Sequence, residues 1–415
     1  MSTRQSARMF RHRIALFSAL VIALGSAVAI VGVAPAGASG AGKITNFTSA
    51  DANEPFQIAP GPGGALWFTN AGNNSIGEIT TTGNFSKFTG TGIDDPFGIT
   101  EGANGAMWFT NHGNNSIGEI TATGTVKNFT SATIDQPCGI TAGGNGALWF
   151  TNQGNDSIGE VTTAGVISNF TSAGVVSPYS IAAGMEGYLW YTNQNPGGVS
   201  SIGAISTTGM FEGTFTSSHI TDPFTITEGP DGAMWFTNWG TGGSYSIDRI
   251  TAGAQTTSYT GPGVNEPNGI VTGSDGALWF ANEGTDTVGQ VTTAGVVTTF
   301  TSSTISVSPG IAAGSDGALW FANSGNSSIG RVTTNVTPGI KSFSPTSGAV
   351  GAQVTITGTN LAGATAVDFN GKSAAIVSDT AKKIVVHVPK HAKTGPVSVT
   401  TSAGTATSKT SFTVT

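Results

Sequence analysis

Apolar and polar positions alternate along this chain in one phrase that recurs seven times, most plainly over residues 105–121, GAMWFTNHGNNSIGEIT. Its tryptophan returns at Trp67, Trp108, Trp149, Trp190, Trp235, Trp279 and Trp320, at spacings of 41, 41, 41, 45, 44 and 41 residues. In each copy an apolar run (LWFT) gives way to a Gly/Asn-rich reversal and then to a second β-rich run (SIGEIT), which predicts strand, turn, strand. A P-x-G-I-T piece upstream, as at 96–100, and an x-x-F-T piece downstream, as at 127–130, bring the unit to four short strands. Four strands in about 41 residues is the pattern of a propeller blade. The expected fold is all-β, a seven-bladed β-propeller.

The outer strands predict how the ring closes. The x-x-F-T pieces lie at 46–48, 86–89, 128–130, 169–171, 214–216, 258–260 and 299–301, so the first precedes every LWF strand and none follows Trp320 within the repeat. Residues 43–48 are expected to complete the last blade and leave no unpaired edge at the seam. The propeller is expected to span 43–335.

Upstream, Arg4, Arg8, Arg11 and Arg13, with no acid, precede an apolar run over 14–33 and the small-residue pattern APAGASG. That reads as a signal peptide over 1–38, cut after Ala36 or Ala38. The run is long enough to span a bilayer, so an uncleaved anchor is the alternative. Either way the body is exported, secreted or held at the cell surface. Downstream, the tryptophan period stops at a linker over 336–339, and 340–415 show several alternating strands at short spacing.

Composition fits an extracellular all-β chain, with charged residues at 9% against about 25% in typical domains. Charge divides unevenly. From 43 to 338 five Lys/Arg face 21 Asp/Glu, a net of −16, whereas from 339 onward seven Lys face two Asp, a net of +5. An acidic propeller argues against nucleic acid as a partner. An extracellular glycan, peptide or protein is the expected partner, membrane contact would come only through an uncleaved signal, and a monomer is expected. The one cysteine, Cys138, excludes an intramolecular disulfide framework.

The repeat P-x-G-I-x-x-G-x-D/N-G-A-L-W-F-T, followed by S-I-G-x-I, runs from Pro55 to Arg331 and resembles the streptogramin B lyase family. Further on, Ser344 to Gly348 (SPTSG), Gly358 to Leu361 (GTNL), Phe369 to Gly371 (FNG) and Val388-Pro389 closely resemble an IPT/TIG domain, an immunoglobulin-like β-sandwich, over 340–415. The second resemblance implies a spacer or adhesion role. The first implies the opening of a cyclic depsipeptide by elimination with Mg²⁺. Its working groups would be a His directly after the blade's Pro, a Glu just before that Pro, and a Glu directly after W-F-T. Here the positions after Pro hold Phe56, Phe97, Cys138, Tyr179, Phe224 and Asn268, and the seventh copy, Ser308-Pro309-Gly310, is one residue short. After W-F-T or its variant stand Asn70, Asn111, Asn152, Asn193, Asn238, Asn282 and Asn323. Only the Glu before Pro remains, as Glu54 and Glu266. An amide supplies neither carboxylate charge for a metal nor a base, so the family's route is not expected to run at these positions.

If P-x-G-I is the innermost strand and LWFTN runs back beside it, one mouth of the ring carries Phe56, Phe97, Tyr179, Phe224 and Asn268 within a surround of the seven amides. Such a surface suits a sugar or an uncharged peptide. Plainer readings stand beside this one: the aromatics as inter-blade core, and each Asn as a turn residue satisfying local backbone groups. His112 and His219 are candidates to border the same mouth. Glu266 and Glu283 are weak candidates for a relocated metal site, since no H-x-H or H-E-x-x-H spacing supports one. Cys138 reads as a buried inert thiol, Asp231, Asp275 and Asp316 as hairpin residues, and Glu78, Glu119 and Glu160 as exposed strand faces. The function expected is a non-catalytic binding module with no cofactor. The alternative is a Mg²⁺-dependent C–O lyase acting on a cyclic depsipeptide or a polysaccharide.

Overall fold

Each W-F-T phrase forms the second strand of a four-stranded antiparallel sheet. The computed structural model describes residues 42–415 apart from 197, 241–242, 307–309, 335–336, 362–363, 381 and 402–403. The signal segment and the start of the seventh P-x-G-I copy lie outside the described residues. The first sheet comprises Pro55–Pro60, Leu66–Asn70, Ser75–Ile79 and Phe85–Thr89, from inside to outside. Six more sheets follow the same order, with innermost strands Pro96–Glu101, Pro137–Ala142, Pro178–Ala183, Pro223–Glu228, Pro267–Thr272 and Ile311–Ala313. In the seventh, the outermost strand is Ile44–Thr48, paired antiparallel to Ser328–Val332 with Phe47 opposite Ile329.

The LWFTN strands are buried along their whole length, so successive side chains fill the layers on both faces of the sheet. Trp67 joins Ile99, Met107 and Phe109 of the second sheet, while Leu66 and Phe68 join Trp320 and Ile329 of the seventh. Innermost strands contact their neighbours in turn, and Ile311–Ala313 returns to Pro55–Pro60, which closes the circuit. Each tryptophan also stacks on the aromatic of its own outermost strand, as Trp67 on Phe88 at 5.0 Å and Trp320 on Phe47 at 5.3 Å. Burying a side chain of this size contributes about 3 kcal/mol. The glycine of S-I-G is required by this packing: a Cβ on Gly118 would lie 2.1 Å from the Phe109 ring. In the fifth copy Asp248 takes that place, opposite Phe236, fully buried. Burial pushes its pKa up to about 6, and Oδ1 has no partner, though Ser246 Oγ donates to Oδ2 at 2.9 Å.

In five of the seven sheets the indole N–H meets an acceptor at the G-x-D/N-G turn that is braced by the residue after S-I-G. Trp108 Nε1 donates to Asn104 Oδ1 at 3.2 Å, and Asn104 Nδ2 donates to Glu119 Oε1 at 2.7 Å. Asn145 and Glu160 repeat this for Trp149. Where Asp replaces Asn the brace becomes a donor: Arg249 for Asp231, Gln290 for Asp275 and Arg331 for Asp316, at 2.6, 2.7 and 2.7 Å. The acids after S-I-G are therefore not simply an exposed strand face; Glu119 is buried and also pairs with Lys127 at 3.1 Å. In the first and fourth sheets the acceptor's position is held by Gly63 and Glu186, both at positive φ (70° and 58°), and the indole nitrogens of Trp67 and Trp190 have no partner.

The C-terminal segment forms two further sheets. One pairs Gly339–Ser344, Gln353–Thr359, Lys383–His387 and Ile376–Thr380; the other carries Gly395–Thr401, Gly404–Val414 and three shorter strands. Alternating residues of both, including Phe343, Val354, Ile384, Val397 and Phe412, share one buried core.

Candidate functional site

In the first six sheets the ladder between the two inner strands breaks just after the proline. Pro137 pairs with Asn152, and pairing resumes only at Ile140 with Phe150. The other five behave alike. Such a bulge turns the residue after proline out of the ladder, and in five sheets these residues converge. Phe56, Phe97, Cys138, Tyr179 and Phe224 form one buried cluster. Ring centroids are 4.5 Å apart for Phe56 and Phe97, 5.6 Å for Phe97 and Tyr179, and 5.1 Å for Tyr179 and Phe224. Residues from five successive sheets meet this way only near the ring's axis, so they plug it. Their rings face one another, none more than 7% exposed.

The seven Asn are buried as well, and both ends of each amide are engaged. Asn111 Oδ1 accepts from Asp94 N at 3.1 Å, while Nδ2 donates to Gly92 O at 2.9 Å and to Ser116 Oγ at 3.1 Å. Asn70, Asn152, Asn193, Asn238 and Asn282 hold the loop before their own inner strand in the same way. Asn323 braces Ser306 N and Asn46 Oδ1. The threonine before them carries a second device. Thr110 Oγ1 accepts from Gly98 N at 2.8 Å, filling the bulge, and donates to Cys138 O of the next sheet at 2.6 Å. Thr69, Thr151, Thr192 and Thr237 repeat the stitch to Phe97, Tyr179, Phe224 and Asn268. The sixth and seventh copies read W-F-A, so Ala281 and Ala322 leave the joints on either side of the seventh sheet without it.

The next residue along is half-buried in five sheets, as Ala71, His112, Gln153, Trp239 and Ser324, and buried in two, as Gln194 and Glu283. Ala71 and Trp239 pack on the plug, Trp239 stacking on Phe224 at 4.4 Å. His112 lies 6.2 Å from the Phe97 ring, with Nδ1 3.6 Å from Asp95 Oδ2. Glu283 stands beside Asn268, whose Nδ2 donates to Oε2 at 3.1 Å. Burial first, then the charges of Glu266 and Asp286, push Glu283 up to about 7. His219 does not reach this mouth: its Nδ1 sits 3.3 Å from Thr256 Oγ1, on the outermost strand of the fifth sheet. Of this ring only His112 and Glu283 stand out from sequence. The signal for the rest was variation at one position of an otherwise fixed phrase.

The residues do not fit a divalent metal, which asks for several converging charged oxygens. Asn282 spends its amide on Gly263 O and Asn265 N, and Glu266 Oε1 accepts the Tyr245 hydroxyl at 3.0 Å. Among the described residues no group of three or more His, Cys, Asp or Glu is arranged to hold a metal.

A closed circuit of four-stranded sheets with inner strands about an axis and a ring of variable residues at one mouth defines a β-propeller. The chain belongs to the virginiamycin B lyase family, whose profile matches residues 36–212 and 132–401. A solved streptogramin B lyase is 29% identical over 70% of this chain and 97% of its own, with a TM-score of 0.64. A catalytically inactive histidine-to-alanine variant of virginiamycin B lyase from Staphylococcus aureus, solved with quinupristin, is 28% identical over 70% of this chain and 99% of its own, also at 0.64. The WD40 propeller domain of Doa1, 10% identical over 70% of this chain and 95% of its own, shares the fold at a TM-score of 0.57. No curated protein sequence matches the chain.

Proposed function

We propose that this chain is an exported binding module, secreted or held at the cell surface. In this reading a seven-bladed propeller over 43–335 takes a glycan, peptide or protein ligand at the plugged mouth, without cofactor. An immunoglobulin-like IPT/TIG sandwich over 340–415 presents it as a monomer. The observation that carries this is Asn268: where the family resemblance places the proton-abstracting imidazole, this chain has a buried amide hydrogen-bonded to Glu283. An amide has no lone pair basic enough to take an α-proton. Support for binding comes from the mouth itself, where a packed floor carries seven side chains of six different kinds.

One observation favours the second reading, a C–O lyase. Glu283 is an acid poised near neutrality, one residue beyond the position where the family resemblance places its own acid. Incubating the mature protein and Mg²⁺ with a streptogramin B, and following the fragmentation pattern of the recovered antibiotic by tandem mass spectrometry, separates the two. The fragmentation of the intact ring is the expected result; a ring-opened isomer, equal in mass but fragmenting as a linear chain, overturns the binding reading.

A further inference from the structure

The plug is apolar in five sheets and polar in the sixth. There Asn268 replaces the ring or thiol, and Glu283 stands against it. Their one mutual bond leaves Asn268 Oδ1 and Glu283 Oε1 without partners, although the residues are only 1% and 4% exposed. A buried acceptor without a donor is costly, and more so when it belongs to a carboxylate. Native structures keep such atoms where something else completes them. Both orphaned atoms are acceptors on touching side chains, so the missing group is a donor able to serve two oxygens.

The surroundings narrow it further. Glu266 and Asp286 act on Glu283 with like charge, so the corner lies in a negative field and a cation relieves it. Trp239 Nε1 donates to Pro267 O at 2.8 Å, which anchors an aromatic ring one residue from Asn268. Its π face suits an ammonium. Gln194, at the same place on the fourth sheet, is buried with Nε2 unpaired, a donor for a carbonyl.

We propose that this corner takes the protonated primary amine of a lysine side chain presented by a peptide. The proposal rests on the binding reading above and names its ligand. An ammonium has three donors and no acceptor, enough for both oxygens. Its four-carbon stem is slender, so it asks the corner to open less than the body of a pyranose ring would.

The test titrates Nα-acetyl-lysine methylamide into the mature protein while following the Trp239 indole signal by NMR, with the Nε-acetylated analogue as the second arm. Saturable binding of the first, weakened about tenfold or more by Nε-acetylation and by Glu283→Gln, is expected. Equal binding of both probes, or binding of neither, overturns it, and that comparison stands on the wild-type protein even if Glu283→Gln does not fold. A peptide array whose ligands lack lysine also overturns it while leaving the binding reading in place; opening of the antibiotic ring overturns the binding reading instead.

Discussion

A threonine hydroxyl in this ring does two jobs at once, and two of the seven copies omit it. Thr110 both fills the bulge after Pro96 and ties the second sheet to the third. Thr110→Val keeps the volume and removes both bonds, leaving a buried N–H and a buried carbonyl without partners. A loss of about 2–4 kcal/mol in denaturant unfolding is expected. The indole braces follow an equally local rule: an amide acceptor is matched by a carboxylate, a carboxylate acceptor by a donor. Asn104→Asp alone sets two carboxylates against each other and lowers the melting temperature. Adding Glu119→Arg recreates the pairing of the fifth and seventh sheets and restores most of it. If the double variant melts no higher than the single one, the rule is wrong.

At the scale of the element, the strands were legible in the sequence because every copy buries the same phrase. LWF and S-I-G are fixed by the layers between sheets, and the spacing of Trp67 to Trp320 counts those layers. The site was less legible for a related reason. Asn70 to Asn323 and the aromatics after proline repeat in register, and repetition marks framework: the amides brace loops, and the rings fill one another's faces. The bulge that rotates Phe97 toward the axis leaves no trace in composition, since Pro-x-Gly reads equally well as regular strand. The residue after each Asn varies among the copies instead. The strand Ile44–Thr48 makes a prediction of its own. It supplies the outer edge of the seventh sheet and the Phe47 ring against Trp320. Deleting 43–50 exposes the edge of Ser328–Val332, so a lower melting temperature and a tendency to associate are expected in scattering measurements.

Across the whole molecule, buried acids set the response to pH. Burial pushes Asp222 and Asp248 up to about 6 from 3.8, and Glu283 up to about 7 from 4.5. The folded chain thus holds protons that the unfolded chain releases. Stability from these groups is greatest at about pH 4 and below, falls as pH rises through the folded values, and levels off only above about pH 8. Asp248→Gly restores the residue of the other copies and removes one contribution, worth about 2–3 kcal/mol. Denaturation at pH 5 and pH 7.5 should show the wild type weaker at the higher pH and the variant less so. Equal slopes for the two proteins exclude Asp248 as a source.

Ala281 and Ala322 give the circle a weak sector, and the polypeptide leaves the circle from that same sector, at Val332. Tension applied through the C-terminal end therefore loads the wedge whose joints lack a hydroxyl rivet. In a force spectrometer that wedge should detach first, and Ala281→Thr with Ala322→Thr should raise the force at which it does.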